Sequence, residues 1–218
     1  TDGKSTYPGL PTEKEQISYT IGMAMGKQLT EIKDEVNLDT VVKAMRTQIA
    51  GEKLMLTEEQ AKTIFEGFGQ KMQAKQIAKM MADAKNNLDN GNKFLAENAK
   101  KPGITTTASG LQYQVLTPGT GAKPGAKDGV KVHYKGTLLD GKSFDSSYDR
   151  GEPAVMPLEG VIPGWSEGLQ LMPTGSKYRF WIPATLAYGE QAPPMIGPNQ
   201  VLVFEVELQD IIKPGAKK

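Results

Sequence analysis

The sequence predicts an α+β protein in two parts: an N-terminal all-helical dimerisation domain ending in a long stalk helix, then an antiparallel sheet wrapped around a short helix. Three observations carry this. Proline is confined to Pro8 and Pro11 in the first 101 residues, and twelve more follow from Pro102 onward. Glycine doubles across the same point, from eight to sixteen, and a proline-free run followed by a punctuated one reads as helices, then strands and turns. Apolar residues repeat at helical spacing before the junction and alternate at period two after it. Lys101-Pro102-Gly103 is therefore the expected boundary, giving domains 1–101 and 102–218.

Residues 1–11 are polar, with Gly and Pro, and read as a loose arm. Thr12-Glu13-Lys14-Glu15 is a capping box, and the helix it opens carries Ile17, Ile21, Met25, Leu29 and Ile32 in one stripe. Gly22 and Gly26 sit one turn apart beside that stripe. Glycine costs about 1 kcal/mol against alanine inside a helix, so the pair predicts close approach of another backbone. A second helix is expected from Leu38 to Ala50, with Gly51 as its C-terminal cap. Thr57-Glu58-Glu59-Gln60 opens a third, with no proline until Pro102 and a span of roughly 60 Å if unbroken. Asn86 to Gly91 is weak helix sequence and a candidate kink. These helices supply few large side chains for an independent core. Residues 12–75 are thus expected to dimerise, with the later part of the third helix a solvated stalk. The alternative is a monomeric helical cap folded onto the second domain.

In the second part Val130, Val132 and Tyr134 share one strand face, while Lys131, His133 and Lys135 share the other. Leu202, Phe204, Val206 and Leu208 alternate in the same way, as half-buried antiparallel strands do. Asp140-Gly141 marks a hairpin. Further strands are expected near 112–117, 154–158 and 176–183, making about five, with one short helix over 163–171.

Composition excludes several classes of function. The formal net charge is +1, from 26 basic and 25 acidic residues, without the clustered positive field that nucleic acid or an anionic membrane requires. No apolar run approaches the ~20 residues of a transmembrane segment. With no cysteine and a single histidine, disulfides, thiol nucleophiles, zinc clusters and multi-histidine sites are ruled out or strongly disfavoured. No metal or cofactor is implied. Because the chain opens Thr1-Asp2-Gly3 and not on Met, a processed N-terminus is expected.

Val161-Ile162-Pro163-Gly164-Trp165 reads as a tight turn feeding the short helix. Its indole alone fits a core position as well as a pocket floor. The neighbouring motifs decide. Val132-His133-Tyr134-Lys135-Gly136, Gly141 to Ser147, Val161 to Trp165, Ala187-Tyr188-Gly189 and Leu202 to Leu208 occur in this order, and over residues 104–212 the chain resembles the FKBP-type peptidyl-prolyl cis-trans isomerases. Ile17 to Gly22 and Leu56 to Gln60 resemble the macrophage infectivity potentiator (Mip) and its periplasmic relatives. The resemblance implies a V-shaped homodimer joined through its N-terminal helices. It also implies proline-containing protein substrates and binding of the macrolides rapamycin and tacrolimus. Its location would be the periplasm, outer membrane or exterior of a Gram-negative bacterium.

It implies site residues too. Trp165 would be the floor under the proline ring, Tyr134, Phe144 and Phe204 aromatic walls, and Val161 and Ile162 one side. The Ile162 backbone N–H and the Tyr188 hydroxyl would donate hydrogen bonds to carbonyls. Asp145 would be a buried carboxylate near the Tyr134 hydroxyl, with Arg150 as its charge partner. Met195 and Ile196 would come from a flap. Three departures stand out: Ala154 where the family often has a second phenylalanine, a flap over Gly189–Pro194 one residue shorter, and no histidine in it. His133 lies on the outward strand face. The leading expectation is a prolyl isomerase acting on folding or exported proteins, and the alternative is a dimeric holdase that captures unfolded chains between its arms. A structural scaffold is disfavoured by the number of pocket aromatics.

Overall fold

A computed structural model describes residues 7–215. The chain divides into two compact units, one up to Gly69 and one from Gln70 onward.

In the first unit, α1 (Glu13–Thr30) starts at the capping box: the Glu15 N–H donates to Thr12 Oγ1 and the Thr12 N–H to the Glu15 carboxylate. Asn37 caps α2 (Leu38–Ile49) by accepting from the Thr40 N–H. Gly51 follows at φ 67°, where a side chain would be strained. Thr57 and Gln60 exchange reciprocal cap bonds at the start of α3 (Glu58–Asn98). None of the residues of α1 or α2 is buried, and Ile17, Ile21, Ile49 and Phe65 are more than half exposed. The space beside Gly22 and Gly26 is open, so the close approach expected there is not made among the described residues.

As expected for a long stalk, α3 runs as one helix of 41 residues and stays helical through Asn86–Gly91. Most of its residues beyond Gly69 are exposed, but Gly91 and Asn98 are buried. At those points tertiary packing outweighs helix propensity. A Cβ at Gly91 would lie 2.8 Å from Val201 Cγ2, so glycine is what lets the helix approach Val201. Asn98 donates to Gln112 Oε1 (2.9 Å), and Gln112 donates to the Leu95 carbonyl (2.8 Å). The weak helix formers are the docking residues.

The second unit is built on β1 (Ile104–Thr106), β2 (Gln112–Thr117), β3 (Gly129–Leu138), β4 (Ser143–Ser146), β5 (Ala154–Pro157), β6 (Lys177–Ile182) and β7 (Leu202–Ile212). They form one antiparallel sheet in the order β1-β2-β6-β7-β3-β4, with β5 also paired to β3. Seven strands replace the expected five. The two that were missed are three and four residues long, Ile-Thr-Thr and Ser-Phe-Asp-Ser, too short and polar to show alternation. The short helix α4 (Pro163–Leu169) packs on the sheet through two glycines. A Cβ at Gly164 would meet Ile182 at 2.4 Å and one at Gly168 would meet Phe180 at 2.7 Å. The core therefore sits between α4 and the inner face of β3, β6 and β7.

Candidate active site

Where the core opens between α4, β3, β7 and the 189–199 loop lies a cavity of about 470 Å³. Pro163 starts α4 at its first position, where no N–H is needed. The Ile162 carbonyl then accepts from the Trp165 and Ser166 N–H groups at 3.0 and 3.1 Å, turning the indole into the cavity base. Trp165 stands edge-on to Tyr134 (4.9 Å, 86°) and to Phe204 (5.2 Å, 86°), and Phe204 edge-on to Phe144 (5.5 Å, 89°). Such arrangements satisfy the ring quadrupoles and hold the walls rigid. The buried Trp165 Nε1 has no hydrogen-bond partner among the described residues.

A hydrogen-bonded group of three polar side chains stands beside this largely apolar bowl. The Tyr134 hydroxyl donates to Asp145 Oδ2 at 2.6 Å, and Arg150 donates to Asp145 Oδ1 at 2.6 Å and to the Tyr134 oxygen at 2.9 Å. The Arg150 guanidinium also lies 5.6 Å over the Tyr134 ring. Bonds to Asp145 first, then to Tyr134, hold the Arg150 proton more firmly than usual. Burial, then the bond to Asp145, pushes the Tyr134 phenol above its ordinary range. The triangle thus presents a protonated phenol, a paired carboxylate and a fixed cation.

The cavity brings together Tyr134, Phe144, Asp145, Val161, Ile162, Trp165, Tyr188, Met195, Ile196 and Phe204. Arg150 does not line it and acts on it only through Tyr134 and Asp145. One detail of the expected site is corrected. Asp145 is not a buried carboxylate, since its side chain is 39% exposed in the ion pair. Ala154 packs on the core but does not line the cavity; Met156, two residues on along β5, does. Strand parity alone would have pointed from Ala154 to Met156. Gly160 and Pro193 also line it without having been assigned there, and Pro193 carried a signal as one of the flap's two prolines. His133, on the opposite face of β3 to Tyr134, stacks on Tyr148 at 3.9 Å and bonds Ser147.

Comparison with known proteins decides the family. Residues 14–115 match the domain amino terminal to FKBP-type peptidyl-prolyl isomerase, and residues 120–209 match the FKBP-type peptidyl-prolyl cis-trans isomerase domain. The chain is 48% identical over 209 residues to FKBP-type peptidyl-prolyl cis-trans isomerase FkpA of Aeromonas hydrophila, covering 93% of this chain and 78% of that one. This chain belongs to the FKBP-type peptidyl-prolyl isomerases. Like that relative, the outer membrane protein MIP of Legionella longbeachae aligns over nearly the whole FKBP chain, at 43% identity over 94% of this chain and 88% of that one. The crystal structure of FkpA from Escherichia coli superposes with a TM-score of 0.78 at 36% identity, covering 94% of this chain and 99% of that one. The enzyme is therefore a peptidyl-prolyl cis-trans isomerase of FKBP type, and FKBPs bind proline-containing substrates. Among the described residues, no helix of this FKBP is long and apolar enough to cross a membrane.

Proposed function

We propose that the cavity over Trp165 takes the proline ring and that isomerisation proceeds by rotation of the amide without proton transfer. The barrier of ~20 kcal/mol comes from amide resonance. An enzyme lowers it by binding the twisted amide better than the planar one. The planar form is the more dipolar, so the apolar walls of Trp165, Phe204 and Phe144 disfavour it by removing water. Two donors then hold carbonyls in the turned geometry. The Ile162 N–H donates to no backbone carbonyl among the described residues, and the Tyr188 side chain stands at the cavity rim with its residue 41% exposed. Asp145, Tyr134 and Arg150 supply a fixed field beside the rotating carbonyl. The observation that carries this reading is the Tyr134–Asp145–Arg150 triangle set against an otherwise apolar cavity. Proline-limited refolding of a substrate protein tests it: Asp145→Ala and Tyr188→Phe each lower the catalysed rate, and wild-type rates in both would remove these residues from the mechanism. Rapamycin or tacrolimus is expected to fill the same cavity and to change Trp165 fluorescence in a Trp181→Phe background.

The chain is further read as a homodimer joined through residues 12–75, with the helical domain taken as 1–101 and the isomerase domain as 102–218. Support comes from α1 and α2, which bury nothing while exposing Ile17, Ile21, Met23 and Ile49. Apolar faces of that size are covered in solution by a partner. The same faces support holdase capture of unfolded chains as a secondary role. Clients are folding or exported proteins, and the place of action is the periplasm, outer membrane or exterior of a Gram-negative cell, by likeness to FkpA and MIP.

A further inference from the structure

One wall of the cavity is a loop, residues 189–199, that carries Pro193, Met195 and Ile196 inward. What sets its position lies outside the cavity. The Asn199 N–H donates to the Gly189 carbonyl at 2.8 Å, closing the loop at its feet. Asn199 is also the one non-glycine residue with positive φ, 54°, among the described residues, and it is 9% exposed. Left-handed backbone is uncommon outside glycine, and where it is kept the surroundings hold it. Here the surroundings are α3. The Asn199 side-chain amide donates to the Ala84 carbonyl at 3.1 Å, and the Asn87 amide donates to the Pro198 carbonyl at 2.8 Å. Two amides thus cross-link adjacent residues of the loop to adjacent turns of one helix. Just beyond, Val201 packs on Gly91 closely enough to exclude a side chain there.

From this geometry we infer that Asn199 and Asn87 are positioning residues of the isomerase, tethering the loop to α3 so that the helix fixes the wall formed by Pro193, Met195 and Ile196. The inference rests on the cavity being the prolyl site. Neither asparagine touches the cavity. Both act through the loop, which grips the residues around proline, whereas Trp165, Tyr134, Phe204 and Asp145 sit on α4, β3, β7 and β4. Loosening the tether therefore weakens substrate binding and leaves the rotation step nearly unchanged. Asn199→Asp keeps shape and left-handed tolerance but loses the donor and faces a carbonyl with a carboxylate. Asn199→Gly keeps the backbone conformation and loses the whole side chain.

The test uses the full chain and a proline tetrapeptide. In Asn199→Gly, Asn199→Asp and Asn87→Ala, KM is expected to rise about fivefold with kcat within about twofold of wild type. The Asn87→Ala/Asn199→Gly double variant is expected to show less than the product of the single effects, since both bonds hold one loop. Amide hydrogen exchange at Ile196 and Gly197, whose N–H groups both bond the Pro193 carbonyl, is expected to accelerate while that of β3 does not. Unchanged KM in all three variants, or kcat falling in step with thermal stability, overturns the inference. Asp145→Ala is run beside them. Loss of activity there with unchanged tether variants removes the tether alone, whereas unchanged activity in Asp145→Ala removes the prolyl-site reading beneath it.

Discussion

Gly136 is outside the cavity, yet replacing it should damage the site. It lies in β3 opposite Asp145 of β4 and Phe204 of β7. A Cβ there would lie 2.6 Å from Phe204 Cε1 and 2.7 Å from Phe144 Cζ. Carbon contacts settle at about 3.5–4.0 Å, so both ring edges must retreat by about 1 Å. Phe204 has no room for this, being 5% exposed and in ring contact with Trp165 and Tyr134. Overpacking of this kind costs about 1–3 kcal/mol. The entropy alanine removes from the unfolded chain offsets only about 0.4–1 kcal/mol of it. Gly136→Ala should therefore lower the melting temperature by a few degrees, at about 2–4 °C per kcal/mol for a chain of this size. The same displacement moves two walls against the substrate, and about 1.4 kcal/mol of lost transition-state binding is tenfold in rate. We expect kcat/KM for a proline tetrapeptide to fall about tenfold while circular dichroism stays native. A folded Gly136→Ala enzyme with kcat/KM within twofold of wild type would refute the claim that the aromatic walls set the rate.

Other outcomes follow from the same structure. Tyr134→Phe removes a donor to Asp145 and an acceptor from Arg150, and should cost about 1 kcal/mol in stability and reduce kcat; urea unfolding and peptide assays read both. Since the folded state holds the Tyr134 proton above its ordinary value of 10.0, its contribution is complete below pH 10.0 and lost as pH rises through the folded value. Tyr134→Phe should flatten that alkaline limb. Asp128 shows the opposite sign: bonds from Lys213 and the Gly125 N–H lower its proton affinity below the usual 3.8. Its stabilisation is present above pH 3.8 and lost as pH falls through the lower folded value, so Asp128→Asn should reduce stability at pH 7 and shrink the acid limb. Sedimentation of the full chain at micromolar concentration should give a dimer that Ile21→Glu dissociates, and a wild-type monomer would contradict the partner-covered helices.

Much of this was legible in the sequence because its signals are local. Thr12–Glu15 and Thr57–Gln60 write their helix starts in side chains three residues apart, and the alternation over Val130–Tyr134 and Leu202–Leu208 writes two strands. The cavity was legible through resemblance, not pattern, because its residues come from β3, β4, β5, α4, β7 and two loops separated by up to 70 positions in the chain. Long-range packing was not legible. Asn86 to Gly91 reads as a weak stretch of helix until Pro198 and Val201 lie against it. Asp145 was expected to be buried, yet its side chain is 39% exposed in the pair with Arg150. Pro198-Asn199 carried a turn signal that fits the left-handed Asn199, but nothing local pointed to α3 as its partner.

The two tryptophans offer the most direct measurement of the central claim. Trp165 and Trp181 are 6% and 7% exposed, but only Trp165 lines the cavity. The same truncation should therefore cost each position comparable packing and only one of them catalysis. Trp165→Leu is predicted to lower kcat/KM for prolyl isomerisation about tenfold or more, and Trp181→Leu to leave it within about twofold in the folded protein. Equal effects of the two substitutions would contradict the assignment of the cavity as the isomerase site.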